Sequence, residues 1–362
     1  MLFFLADSKQ QAFGTNGLLQ QHAQHTGAHR ALVDTYATNV LEQPAVKLDK
    51  LTDVEKYQTS AKAHATSWRD SVSGLLIGAN TDLMSFSNSF TSFYNPLMSM
   101  AQNITAGDNR AQFVKGLQIL VSQIEDKRTK ADGALDALKS FRNDVADDHG
   151  HFLELAAKAK SLYEGDKGVI SQLENRQDAI RQAMSTDLTI IAGGAALTVV
   201  GGLAIAVGLL AEIPSGGAST AIVVGGLAAV AGGTVAMGVA GADFTSKKSE
   251  LAKNITDLAD IKSEIGLLSG VELQFNNLAV ANEKAEQSLK SMADTWTLLH
   301  TQFNGVITKL HDEVNPDDGP FLAYELDSAK KDWESVHDTA QLVNNQLSTL
   351  PVDKSGLVTK AA

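Results

Sequence analysis

Three groups of residues have the types and spacing for chemistry. His22, His25 and His29 recur at steps of three and four, which puts three imidazoles on one face of a helix at a spacing that suits a metal ion. No Asp or Glu nearby completes the ligand set, so a solvated polar face is expected and no metal site. The run Asp147-Asp148-His149-Gly150-His151 mixes carboxylates with imidazoles, but its glycine reads as a weak point in a long helix. Asp318, Gly319 and Glu325 fall in the register of a calcium loop. Val314 and Pro316 stand where that loop needs oxygen ligands, so a turn leading into a helix is expected there. No phosphate-binding loop, dinucleotide-binding glycine pattern or nucleophile elbow is present. The chain has no cysteine, which removes disulfides, zinc–thiolate sites and thiol catalysis. Neither an enzymatic activity nor a cofactor is expected.

The 362 residues carry 30 Lys and Arg against 42 Asp and Glu, a net charge of −12. Phosphate backbones are held by basic stripes, so nucleic acid is not an expected partner. Recruitment to anionic lipid by charge alone is disfavoured for the same reason. Met1-Leu2-Phe3-Phe4-Leu5-Ala6 is apolar, but it is short, has no Lys or Arg before it and stops at Asp7. No cleavable export signal is expected, and secretion would need another route.

Prolines leave two long gaps, Pro96 to Pro214 and Pro214 to Pro316, wide enough for very long helices. Apolar residues in both gaps alternate steps of three and four: Phe113, Leu117, Leu120, Ile124 in one, Trp296, Leu299, Phe303, Val306 in the other. A first helix is expected over about Gly17–Leu41. A second should start at the capping box Thr52-Asp53-Val54-Glu55 and run to about Asn95-Pro96 or slightly beyond. A last helix should span about Phe321–Leu347, followed by a loose tail from residue 350. The Phe86, Phe90, Phe93, Leu97, Met100 stripe reads as packing. The fold class is all-α: an elongated bundle of about five long helices.

The dominant feature lies between the two gaps. From Leu188 to Ala242 the only charged residue is Glu212. Two apolar segments, Leu188–Ala211 and Ala218–Ala242, are joined by Glu212-Ile213-Pro214-Ser215-Gly216-Gly217. A membrane-spanning helix needs about 20 mainly apolar residues, and each segment is long enough. The expectation is a helical hairpin that inserts into a bilayer. Its apolar contacts would come from Leu188, Ile190, Ile191, Leu197, Val199, Val200, Leu203, Ile205, Val207, Leu209 and Leu210, then Ile213, then Ile222, Val223, Val224, Leu227, Val230, Val235, Met237 and Val239. Gly194 and Gly202 in one row and Gly225 and Gly233 in another give small-xxx-small spacing for close helix packing. Arg176, Arg181, Lys247 and Lys248 flank the segments while the tip (Glu212, Pro214, Ser215, Gly216, Gly217) has no basic residue, so the tip should be the part that crosses. Polarity changes abruptly at Ser185, Asp187, Asp243 and Ser246, the expected hinges. Poor helix propensity makes a different conformation in water plausible.

Long heptad helices around a central two-segment apolar hairpin, with no cysteine, resemble the α-helical pore-forming toxins of the cytolysin A superfamily. Within it, the chain resembles the tripartite toxins related to hemolysin BL and the non-haemolytic enterotoxin, and the two full-length segments are similar to the B-type component. The resemblance implies a tail bundle (residues 1–187 and 243–349), a head (188–242) and a flexible end (350–362). It implies a secreted, soluble protein that meets a target lipid bilayer, assembles with copies of itself into a ring and acts with two further toxin components. A type III secretion translocator subunit and a resident membrane protein with a coiled coil are the alternatives.

Overall fold

The computed structural model describes residues 11–42, 51–161, 263–312 and 314–347, five short strands within 188–225 and 358–359, and the single positions Ser171 and Asn175. The helices are α1 (Leu18–Glu42), α2 (Asp53–Ser67), α3 (Ser73–Gln102), α4 (Asn109–Ser161), α5 (Ser263–Asp312) and α6 (Asp318–Leu347). A five-residue π-turn, Trp68–Val72, joins α2 to α3 without a break, so the described residues form five long helical stretches, as the periodicity requires. The predicted seams are the core: Phe113, Leu117, Leu120 and Ile124 are fully buried, as are Leu289, Met292 and Phe303.

Two local expectations fail for physical reasons. Pro96 does not end a helix; α3 runs through it to Gln102. Its ring is exposed, so the carbonyl it leaves unpaired is on the solvent side, while buried Leu97 and Ala101 keep the next turn docked. Thr52 is already helical (φ −63°, ψ −20°) and makes no capping bond, so α2 starts there without its box. α4 runs through Gly150 without a break, and Asp148, two residues before it, is buried.

Contacts divide the chain into two interleaved units, since each long helix contributes to both. One comprises Met1–Gly27, Leu75–Asp136 and Glu286–Asn345; the other comprises Ala28–Gly74, Ala137–Ala285 and Gln346–Ala362. The linear boundaries expected at 187/188, 242/243 and 349/350 fall on or beside residues outside the description.

The first unit is centred on aromatic rings. Phe86 meets Trp333 at 4.6 Å and Trp296 at 5.3 Å, both edge-on, and the two indoles stack at 6.0 Å. The segment before α1 is strapped onto α6. Phe13 is fully buried against Phe303, and its carbonyl accepts the Trp333 indole N–H at 2.9 Å. The Ala12 amide donates to Glu325 at 2.7 Å, while Asp332 accepts from the Thr15 hydroxyl at 2.8 Å and the Gly17 amide at 3.1 Å. The left-handed pair Asn16 (φ 51°) and Gly17 (φ 79°) turns the strap into α1. At the start of α6, Asp318 accepts the Asn315 amide at 2.8 Å, so the loop over 315–325 is the turn and helix start expected. A Cβ on Gly319 would lie 2.6 Å from the Ala101 carbonyl oxygen, a backbone atom with little room to yield.

In the second unit α4 and α5 run antiparallel. Phe152 stacks on Phe275 at 4.9 Å, and the Asn282 amide reaches the Leu138 carbonyl at 3.4 Å. α2 is fastened to α4 by His64 Nδ1 and Asp148 Oδ2 at 2.8 Å, with Tyr57 stacked on His151 at 4.1 Å. Burial pushes the Asp148 carboxyl up to about 6, and Asp144 adds to the rise; the His64 hydrogen bond and the His64 and His151 charges oppose it.

Two predictions follow from these contacts. Gly319→Ala should lower the urea-unfolding free energy by about 1–3 kcal/mol, because the backbone must shift. Gly305→Ala, in open space on α5, should raise it by up to about 1 kcal/mol; equal effects would contradict the close approach at Gly319. A carboxyl raised above its unfolded value adds stability that is full below that value and lost as pH rises through 6. The parent should therefore gain about 1 kcal/mol over Asp148→Asn between pH 7.5 and pH 5. Parallel urea midpoints for the two proteins across that range would contradict the burial of Asp148.

Candidate functional site

In sequence the apolar segment lies between α4 and α5, which pack antiparallel. The described residues inside it are strands, not the helices expected of Leu188–Ala211 and Ala218–Ala242. β1 (Leu188–Ala192) pairs antiparallel with β2 (Ala195–Val199), in a register that sets Leu188 against Val199 and Ala192 against Ala195. Gly193 and Gly194 lie between them in sequence, a dipeptide suited to a two-residue hairpin connection. β3 (Gly208–Glu212) pairs antiparallel with β4 (Ala221–Gly225), with Gly208 against Gly225 and Glu212 against Ala221. β5 (Val358–Thr359) adds to β4, Val358 against Val224 and Thr359 against Val223, so this part of the tail is paired where a loose end was expected.

The local chemistry explains strands in place of helix. Ile, Val and Thr recur through the segment, and their branched Cβ favours extended backbone. Each glycine costs a helix about 1 kcal/mol relative to alanine. Antiparallel pairing supplies partners for backbone N–H and C=O groups that apolar side chains cannot satisfy. Among the described residues, no helix is long and apolar enough to cross a membrane.

The expected site residues divide accordingly. β1 holds Leu188, Ile190 and Ile191; β2 holds Leu197 and Val199; β3 holds Leu209, Leu210 and Glu212; and β4 holds Ile222, Val223, Val224 and Gly225. The apolar residues Val200, Leu203, Ile205, Val207, Ile213, Leu227, Val230, Val235, Met237 and Val239 lie outside the described residues. So do the tip residues Pro214, Ser215, Gly216 and Gly217, the glycines Gly194, Gly202 and Gly233, and the hinges Ser185, Asp187, Asp243 and Ser246.

Of the histidine candidates, His22 and His25 belong to the first unit and His29 to the second. His22 and His25 are half-buried instead of solvated. Burial lowers both below the ordinary imidazole value; at His22 the His25 charge lowers it further, and Asp294 partly offsets this. The His29 side chain lies outside the description, and no group of three metal-ligating side chains occurs among the described residues.

Comparison with known proteins bears on the whole chain. Residues 14–187 match the family model of the Bacillus haemolytic enterotoxin (HBL). Among solved structures, the Bacillus cereus HblL1 toxin component aligns with a TM-score of 0.63 and 14% identity over 92% of this chain and 98% of that one. Soluble SmhA of the tripartite α-pore forming toxin Smh from Serratia marcescens aligns at 0.67 and 12% over 94% and 97%. Soluble AhlB of the tripartite α-pore forming toxin AHL from Aeromonas hydrophila aligns at 0.58 and 16% over 93% and 97%. The resemblance read from the residues therefore stands: the first half of the chain matches the HBL enterotoxin family model, and nearly all of it has the fold of tripartite α-pore-forming toxin components.

Proposed function

We propose that the chain is one component of a tripartite α-pore-forming toxin, secreted in soluble form, that reaches a target bilayer and deploys residues 188–242 into it. One observation carries this reading: a segment with a single charge, long enough for two spans, set between the stems α4 and α5. In lipid every backbone polar group needs an internal partner, which a helix supplies within each segment. The strand pairs belong to the concealed form, and the helical hairpin, with Leu188–Ala211 and Ala218–Ala242 as spans, belongs to the inserted form. Ser185, Asp187, Asp243 and Ser246 serve as the hinges between them. AhlB, whose fold this chain shares, has soluble, pre-pore and pore forms.

The length of both segments favours the B-type position in such an assembly. The segments are apolar on nearly every face, so the aqueous lining of the pore comes from partner components. Copies of this chain then form the ring, with two further proteins completing it.

A cross-strand disulfide tests the conversion, and the absence of native cysteine makes it unambiguous. Thr189 and Thr198 are register partners in β1 and β2. In a helix they would stand about 13 Å apart, far beyond the 4.4–6.8 Å Cα separation a disulfide permits. Thr189→Cys/Thr198→Cys should fold, remain soluble without detergent and fail to release dye from vesicles when oxidised, even with the partner components present. Reductant should restore release. Release by the oxidised form would refute a helical inserted state.

A further inference from the structure

The π-turn at Trp68–Val72 reflects one surplus residue in an otherwise regular seam. From Val54 to Trp68 the buried positions alternate steps of four and three, and from Leu76 to Phe90 they do so again. Val72 between them leaves two successive steps of four, so Val54 to Phe90 is one residue longer than five heptads. Against a seam that repeats every 3.5 residues, as between supercoiled helices, one such residue sets the face about 100° off. The wider turn absorbs it: the Ser73 amide donates to the Trp68 carbonyl five residues back, and Trp68, Val72 and Ser73 are all buried.

Both ends of the turn are tied to one carboxylate on α1. Asp34 Oδ1 accepts the Trp68 indole N–H at 2.7 Å and the Ser73 hydroxyl at 2.8 Å. Asp34 Oδ2 pairs with Arg30 at 2.9 Å, and Arg30 Nε donates back to Ser73 Oγ at 2.8 Å. Trp68 is also held by Phe141, with ring centroids 4.8 Å apart. Hydrogen-bond geometry in a π-turn is uncommon and is usually kept by its surroundings. Here the surroundings are a closed polar ring with a partly buried ion pair, which is costly to break by halves.

We propose that the π-turn is a register switch held in its wide form by Asp34. When the carboxylate releases Trp68 and Ser73, the surplus residue is free to travel along the helix. Each residue of travel swings the one residue it passes about 100° around the axis and leaves the two ends of the helix unturned. The docking of α1 thereby sets which residues near 68–73 face the seam. The inference goes beyond the pore-forming reading and does not depend on it.

Amide hydrogen exchange in solution tests the switch without any membrane. Asp34→Ala should speed exchange over 68–73 by about tenfold or more and leave 113–124 on α4 unchanged. Trp68→Phe, which keeps a ring against Phe141 and removes the indole donor, should give a smaller rise at the same amides. Deleting Ser71, which is exposed, places Val72 and Ser73 three and four residues after Trp68, the α-helical spacing for one face. The deleted chain should keep the parent's circular dichroism, and Asp34→Ala in it should no longer speed exchange over 68–73. Unchanged exchange in Asp34→Ala, equal acceleration in both backgrounds, or a deleted chain that fails to fold would each overturn the proposal. If Asp34→Ala unfolds the whole chain, Trp68→Phe decides alone.

Discussion

Everything in this chain has to accommodate a long apolar segment whose backbone needs hydrogen-bond partners and whose side chains need shelter from water. At about 25 cal/mol per Å² of apolar surface, leaving such a segment bare would cost tens of kcal/mol. Its glycines and β-branched residues make it a poor helix in water, while lipid forbids open sheet edges. The same residues therefore have two ways to satisfy their backbone, one in each solvent. Paired strands between β1 and β2 and between β3 and β4 are the first of them. The second belongs to the proposed inserted form.

The helices on either side of that segment in sequence are fastened by specific contacts. Antiparallel stems α4 and α5 meet through Phe152 and Phe275, and α2 is fastened to α4 through His64 and Asp148. In the other unit, rings of Phe86, Trp296 and Trp333 fill the core, and Asp332 and Glu325 hold the strap that precedes α1. These are buried, directional contacts with specific partners. Exposed ion pairs such as Lys290–Asp294 contribute little by comparison.

Much of the fold was legible because burial imposes a period. The seams through Phe113 and Phe303 follow from steps of three and four, and α1 and α6 begin and end within three residues of where they were expected. Phe86, Phe90 and Leu97 are buried as the stripe implied, although Phe93 and Met100 are only half so. Asp148 was legible in principle: it occupies a seam position between Val145 and Phe152, where a carboxylate must find a partner. The surplus residue near Val72 is likewise countable, since it breaks an alternation that otherwise holds. The strap over 11–17 carries no period and depends on acceptors more than 300 residues away, so no local signal marks it. The apolar segment is different again. Length and hydrophobicity identify it, but they are equally compatible with strand and helix.

The central claim is that the segment changes surroundings from protein to lipid. An environment-sensitive fluorophore placed singly at Leu209 or Val223 reports this directly, because the chain has no competing thiol. On adding vesicles and the partner components, emission should shift to the blue and be quenched by a quencher carried on the lipid chains. Vesicle-bound protein whose emission is untouched by lipid-borne quencher at both positions would contradict the account.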